Sequence, residues 1–172
     1  MNLQSTDFEL FDIPAQFAQD RVALDARWKD LQREAHPDKF AAQGVAAQRV
    51  AMQWSVRINE AYQRLKDPLR RASYLCEMNG APINAETNTA MPTGFLMQQM
   101  AWREELDEAR TPDELDALLA QVNEHEREQL SKIGQSIDDA KDFNAAAQQV
   151  RSLMFMQRFA GEVETRIDQL GQ

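Results

Sequence analysis

Apolar residues return every three or four positions along most of this chain, the repeat of a single α-helical face. Thr6 or Asp7 can cap a short first helix carrying Phe8, Leu10, Phe11 and Ile13, with Pro14 closing it. Asp20 caps a second helix running to about Ala35, and its stripe is Leu24, Trp28, Leu31 and Ala35. On another face of that helix Lys29 and Arg33 stand one turn apart and lead directly to His36. Pro37 stops the helix by removing a backbone donor and biasing His36 away from the α region. A loop containing Gly44 then opens a third helix, from about Val45 to Lys66, with Ala47, Val50/Ala51, Trp54, Ile58, Ala61 and Leu65 on one side. Two long amphipathic helices joined by so short a connection predict an antiparallel hairpin. Asp67-Pro68 restarts the chain, with Pro68 at the first position of a further helix through Met78.

Asn79-Gly80 is a turn signal, and residues 81–93 are rich in Pro, Asn, Thr and Ala. Residues 79–93 therefore read as a linker between an N-terminal unit, 1–78, and a C-terminal one, 94–172. The second unit begins with a helix from about Gly94 to Arg110. In Thr111-Pro112-Asp113-Glu114 the threonine is placed as N-cap, proline at the first helical position and Glu114 at the third, a capping box. The helix that follows carries Leu115, Leu118, Leu119, Val122, Leu130 and Ile133. The last, from about Asp142 to Leu170, turns Phe143, Ala146, Val150, Leu153, Ala160, Val163 and Ile167 inward. The expected fold is all-α: a helical hairpin with short flanking helices, then a three-helix bundle.

Charge sharpens the division. Residues 1–80 carry 11 Lys/Arg against 11 Asp/Glu, whereas residues 81–172 carry 8 against 17, so the whole net charge of −9 sits in the second half. Units so different in charge suit different partners, and the acidic half argues against nucleic acid, which demands a basic footprint. The single cysteine, Cys76, lies in the apolar context Tyr74-Leu75-Cys76 and reads as a small buried hydrophobe. It allows no internal disulfide. Neither a secretory signal nor an organelle presequence is visible, and no apolar run approaches the roughly 20 residues that span a bilayer. A cytoplasmic protein that does not enter membranes is expected.

His36-Pro37-Asp38 is the first candidate for chemistry. An acid–base dyad would need a third group and a pocket, and no Ser, Cys or Gly-rich loop accompanies the pair. A metal site would need more ligands, and His125, the other histidine, has no ligand spacing to His36. A plain proline turn is the third reading. For Lys29 and Arg33 the alternatives are a solvated helix face, with Asp25 reaching Lys29, or a docking face. The setting resembles a J-domain: a basic second helix, His36-Pro37-Asp38, then a helix ending in Asn59-Glu60-Ala61-Tyr62, Leu65 and Asp67-Pro68. The resemblance implies that Asp38 and the positive face of the second helix engage an Hsp70 and favour its hydrolysis-competent state. The J-domain then contributes coupling energy rather than a reacting group.

In the helix after the linker, steps of about 100° put Phe95, Trp102, Leu106 and Ala109 in one arc. Leu96, Met97 and Met100 fall in another, shared with Ala101, Glu104 and Glu108. An apolar patch running into acids off the core face is what a partner site looks like, and methionines adapt to uneven surfaces. Phe155 likewise lies off the inward stripe of the last helix, and Phe159 lies nearer to it. Packing against the other unit, or a core wider than these stripes, is the alternative reading.

The whole chain resembles the HscB family of bacterial iron–sulfur co-chaperones. The marks are Asp7-Phe8-Glu9-Leu10-Phe11-Asp12-Ile13-Pro14, His36-Pro37-Asp38-Lys39-Phe40, Arg71-Ala72-Ser73-Tyr74-Leu75, and Phe95-Leu96-Met97 leading to Arg103-Glu104-Glu105-Leu106-Asp107-Glu108. The resemblance implies a non-enzymatic adaptor whose bundle binds the scaffold IscU and whose J-domain delivers it to the Hsp70-type chaperone HscA. Carried over by position, Lys29, Arg33, His36, Pro37, Asp38 and Lys39 face the Hsp70. Leu96, Met97, Met100, Glu104, Glu108 and Phe155 form the scaffold site. A J-protein serving another client is the alternative. Two positions depart from the family pattern: Ala101, where an acid is common, and Ala35, where J-domains commonly have Tyr. The N-terminal cysteine motif of eukaryotic relatives is absent, so neither metal nor cofactor is expected, and the protein is expected to be monomeric.

Overall fold

The computed structural model describes residues 2–171, and every regular element among them is helical. The α-helices are α1 (Asp7–Phe11), α2 (Arg21–Ala35), α3 (Val45–Lys66), α4 (Pro68–Met78), α5 (Thr93–Glu108), α6 (Pro112–Gly134) and α7 (Phe143–Leu170). The chain divides into two compact units, Met1–Tyr74 and Leu75–Gln172.

The helix starts follow the local chemistry. Thr6 accepts the Glu9 N–H, Asp20 those of Val22 and Ala23, Thr111 that of Glu114, and Asp142 that of Ala145, each satisfying donors with no partner inside the helix. Glu114 turns back as expected of a capping box but reaches one residue further than the usual partner, accepting the Arg110 N–H at 2.7 Å. The end of α1 differs from the expected stop at Pro14. Asp12 adopts a left-handed conformation (φ 53), and the Ile13 N–H closes back on Phe8 O at 3.0 Å. This αL closure ends the helix at Phe11, three residues before the proline.

In the first unit α2 and α3 form the expected hairpin over α1. Phe8, Leu10, Phe11, Leu24, Leu31, Ile58, Ala61 and Leu65 are buried between them. Trp28 and Ala35, on the predicted stripe, are only half-buried. Trp28 instead stacks on Tyr62 at 4.4 Å. Beneath the apolar layer lies an ion cluster that periodicity did not suggest. Asp7 is 0% exposed and faces Arg57 at 2.9 Å and Arg64 at 2.5 Å. Its backbone N–H donates to the Tyr74 hydroxyl at 3.0 Å, so α1, α3 and α4 meet at one residue.

In the second unit α6 and α7 pack antiparallel, with Leu115, Leu118, Val122 and Ile133 against Ala146, Val150, Leu153 and Val163. A π-helical turn, Gln135–Asp139, joins them; its Ser136 donates to Gln149 at 2.9 Å. Helix α5 is held at a distance by large rings: Trp102, fully buried, stacks on Phe159 at 5.8 Å, and Phe95 meets Phe155 edge-on at 5.6 Å.

The segment that reads as a linker is anchored within this unit. Ala81 and Ile83 are buried, and Arg151 of α7, 6% exposed, donates to the carbonyls of Ile83 and Ala90 at 2.9 Å each. An irregular segment lacks a ladder for its carbonyls, and the forked guanidinium supplies the missing donors. The division between the two compact units falls after Tyr74, inside α4.

Candidate functional site

The first candidate site is the turn between α2 and α3. Pro37 holds His36 extended (φ −61, ψ 129), and a 3-10 stretch, Pro37–Gln43, follows where a loop was expected. His36 caps that stretch: its Nδ1 accepts the Asp38 N–H at 3.2 Å, and its carbonyl accepts the Lys39 N–H at 3.1 Å. The Asp38 side chain is 92% exposed, spending none of its oxygens on a strong internal contact; His36 Nδ1 lies 3.7 Å away. Gly44 ends the stretch at φ 99, ψ 173, a backbone region essentially confined to glycine.

Lys29, Arg33 and Lys39 are exposed, and Pro37 is half-buried. Asp25 does not reach for Lys29. It accepts from the Tyr62 hydroxyl at 2.7 Å and from Arg21 at 2.8 Å, and these two bonds, Tyr62 first, hold its carboxyl below the usual range. Arg33 meets Asp30 at 3.4 Å, both largely exposed, a pairing that contributes at most about 1 kcal/mol and leaves the guanidinium available. Ala35, the small residue before His36, lines a hollow of about 530 Å³ with Leu31, Phe40, Val50 and Trp54.

The second candidate site lies on α5 and α7. Leu96, Met97 and Met100 are 61%, 76% and 66% exposed, while Trp102 and Leu106 on the opposite arc are buried. Met100, Glu104, Glu108 and the half-buried Phe155 converge on a groove of about 560 Å³. Leu96 shares with Phe155 an adjoining hollow, and Met97 borders neither. Phe159, the ring nearer the inward stripe, is core at 1% exposed.

Sequence reasoning passed over Gln99, Arg103 and Asp107, which also line the groove. Met100, Glu104 and Asp107 share one face at i, i+4, i+7, so the signal for Asp107 was present in the spacing. Arg103 is not a free cation there: it grips Glu162 through two bonds of 2.6 and 3.3 Å, which keep the Glu162 carboxyl below its usual range. The groove's net character is acidic and apolar. Such a surface is complementary in charge and polarity to apolar anchors flanked by basic groups.

Among the described residues, no group of three or more His, Cys, Asp or Glu is arranged to hold a metal ion, and no helix is long and apolar enough to cross a membrane. Cys76 is fully buried, and burial pushes its thiol up to about 11.

A family model described as the HSCB C-terminal oligomerisation domain matches residues 91–164. Full-length relatives include the co-chaperone protein HscB homolog of Burkholderia multivorans, 50% identical over 99% of this chain and 98% of the relative. That of Paraburkholderia xenovorans is 48% identical over 98% of each. Among solved structures, chaperone HscB from Vibrio cholerae aligns with a TM-score of 0.81 at 37% identity, covering 96% of this chain and 99% of its own. The human co-chaperone protein HscB aligns at 0.87 with 24% identity, covering 96% and 84%, a likeness of fold.

Proposed function

Because this chain belongs to the HscB co-chaperone family, we propose that it is a two-ended adaptor of iron–sulfur cluster assembly. One copy of the chain binds the scaffold IscU through α5 and α7 and presents it to the Hsp70-type chaperone HscA in the cytoplasm. The turn between α2 and α3 then stimulates HscA's ATPase. As a co-chaperone the chain contributes no reacting group; its work is to favour one state of its partner.

The observation that carries this reading is the presentation of Asp38. A carboxylate 92% exposed, on a turn locked by Pro37 and capped by His36, docks with little loss of conformational freedom. Exposed Lys29, Arg33 and Lys39 lie on the helix and turn that carry it and complement an acidic surface. The cargo end is supported by the groove where Met100, Glu104, Glu108 and Phe155 meet, extended by Leu96 and Met97.

The test is a single-turnover ATPase assay with HscA and IscU. Asp38→Asn removes the charge without touching a packed contact. Stimulation should disappear while melting temperature and scaffold affinity stay as in the unaltered chain. Stimulation that survives Asp38→Asn refutes the turn's assigned role.

A further inference from the structure

We propose that the scaffold site continues past Phe155 into a second, cationic hollow. The partner segment lying across Phe155 then carries basic groups on one side of an apolar anchor and a carboxylate on the other. This rests on reading the groove of Met100, Glu104 and Glu108 as the scaffold site, and it assigns that site a direction.

The hollow measures about 700 Å³ and lies between α5, α7 and the anchored segment before α5. Its apolar walls include Met91, Leu96, Met154 and Phe155, and its charged residues are Arg151 and Arg158. In residues 81–172 acids outnumber cations 17 to 8, yet two of the eight cations border this one hollow and none of the acids does. Across Phe155 the groove is lined by Glu104, Asp107 and Glu108, and its only cation, Arg103, is engaged by Glu162. Phe155 and Gln99 wall both depressions, so the sign of the lining charge reverses across a single ring.

The two arginines do different things. Arg151 is buried with its guanidinium directed at the carbonyls of Pro82, Ile83 and Ala90, so it shapes the wall and adds positive potential. Arg158 is exposed, one turn beyond Phe155's neighbour Met154, and its fork can take a carboxylate in two parallel bonds. A peptide segment seated in both depressions therefore meets acids at one end and a guanidinium at the other. Reversing its direction would set like charges against each other at both ends.

Calorimetric titration of the full-length chain with IscU decides it, using Met100→Ala, Arg158→Glu, Arg158→Lys and Ala85→Trp, the last to fill the hollow. Met100 lines the groove and not the hollow, so Met100→Ala reports on the underlying site and should weaken binding about tenfold. Arg158→Glu should weaken it by a similar factor with the melting temperature unchanged, Arg158→Lys, which keeps the charge and loses the fork, should weaken it less, and Ala85→Trp should weaken it. If Met100→Ala weakens binding but Arg158→Glu and Ala85→Trp bind like the unaltered chain, the hollow is no part of the site. Tighter binding by Arg158→Glu would mean a cationic occupant and overturns the proposed direction. Unchanged binding by Met100→Ala removes the scaffold site itself, and this inference with it.

Discussion

Replacing Asp7 by Asn tests whether the buried ion cluster holds the J unit together. Asp7 is 0% exposed, with one oxygen shared by Arg57 at 2.9 Å and Arg64 at 3.0 Å and the other taken by Arg64 at 2.5 Å. Asparagine keeps the shape but removes the charge, and its amide turns a donor toward guanidinium donors. Breaking a buried pair by removing one partner costs about 3–5 kcal/mol, because the remaining charge stays desolvated. The low end applies here. The Arg64 side chain is 36% exposed and keeps the face of Tyr74 at 4.5 Å, and Arg57 keeps the carbonyls of Leu3 and Ser5. A loss of about 3 kcal/mol lowers the melting point of a domain this size by about 12 °C or more. Differential scanning calorimetry of the full chain should show that shift for the first unit, with Asp38→Asn as an exposed control moving it by less than about 0.5 kcal/mol. Since α3 carries both arginines and begins just after the His36-Pro37-Asp38 turn, Asp7→Asn should also lower the temperature at which ATPase stimulation fails. A melting point within 2 or 3 °C of the unaltered chain, about 0.5 kcal/mol, would show that the cluster contributes little.

Two further outcomes follow from the second unit. Burial and the neighbouring Glu164 raise the Glu126 carboxyl above its usual range, so its ionised form opposes folding once pH exceeds the unfolded value. Glu126→Gln should therefore stabilise the chain at neutral pH, with the gain vanishing as pH falls below the range of a free carboxyl; denaturant titrations at pH 7 and pH 4 check this, and an equal gain at both pH values rejects the electrostatic cause. Cys76, fully buried with its thiol pushed up to about 11, should resist a disulfide exchange reagent in the native chain and react fully in denaturant. Rapid labelling of the folded chain would contradict its packing.

Local signals carried much of the architecture. Thr6, Asp20, Thr111 and Asp142 each cap a helix through side-chain oxygens a few residues from their donors, and Pro37 and Pro68 act on their immediate neighbours. The exposed arc of Leu96, Met97 and Met100 was equally readable, since the helical repeat separates it from Trp102 and Leu106 by rotation alone. Periodicity failed where a contact spans many residues. The Arg151 anchor joins α7 to residues 82–90, and nothing near either partner in the chain announces it. Without that anchor, a stretch rich in Pro, Asn and Thr looks like a tether.

For this protein, then, residue order alone determined the helices, their buried faces, the proline-locked His36-Pro37-Asp38 turn and the split in charge, because each depends on residues within a few turns of one another. Tertiary structure decided the rest: that Asp7 ties three helices together through Arg57, Arg64 and Tyr74, and that Asp25 belongs to Tyr62 and Arg21 rather than to Lys29. It also decided that Phe155 stands between an acidic groove and a cationic hollow. Those arrangements join side chains from separate elements. Hydrogen-bond reach and ring contact act through space, and only the folded chain sets those distances.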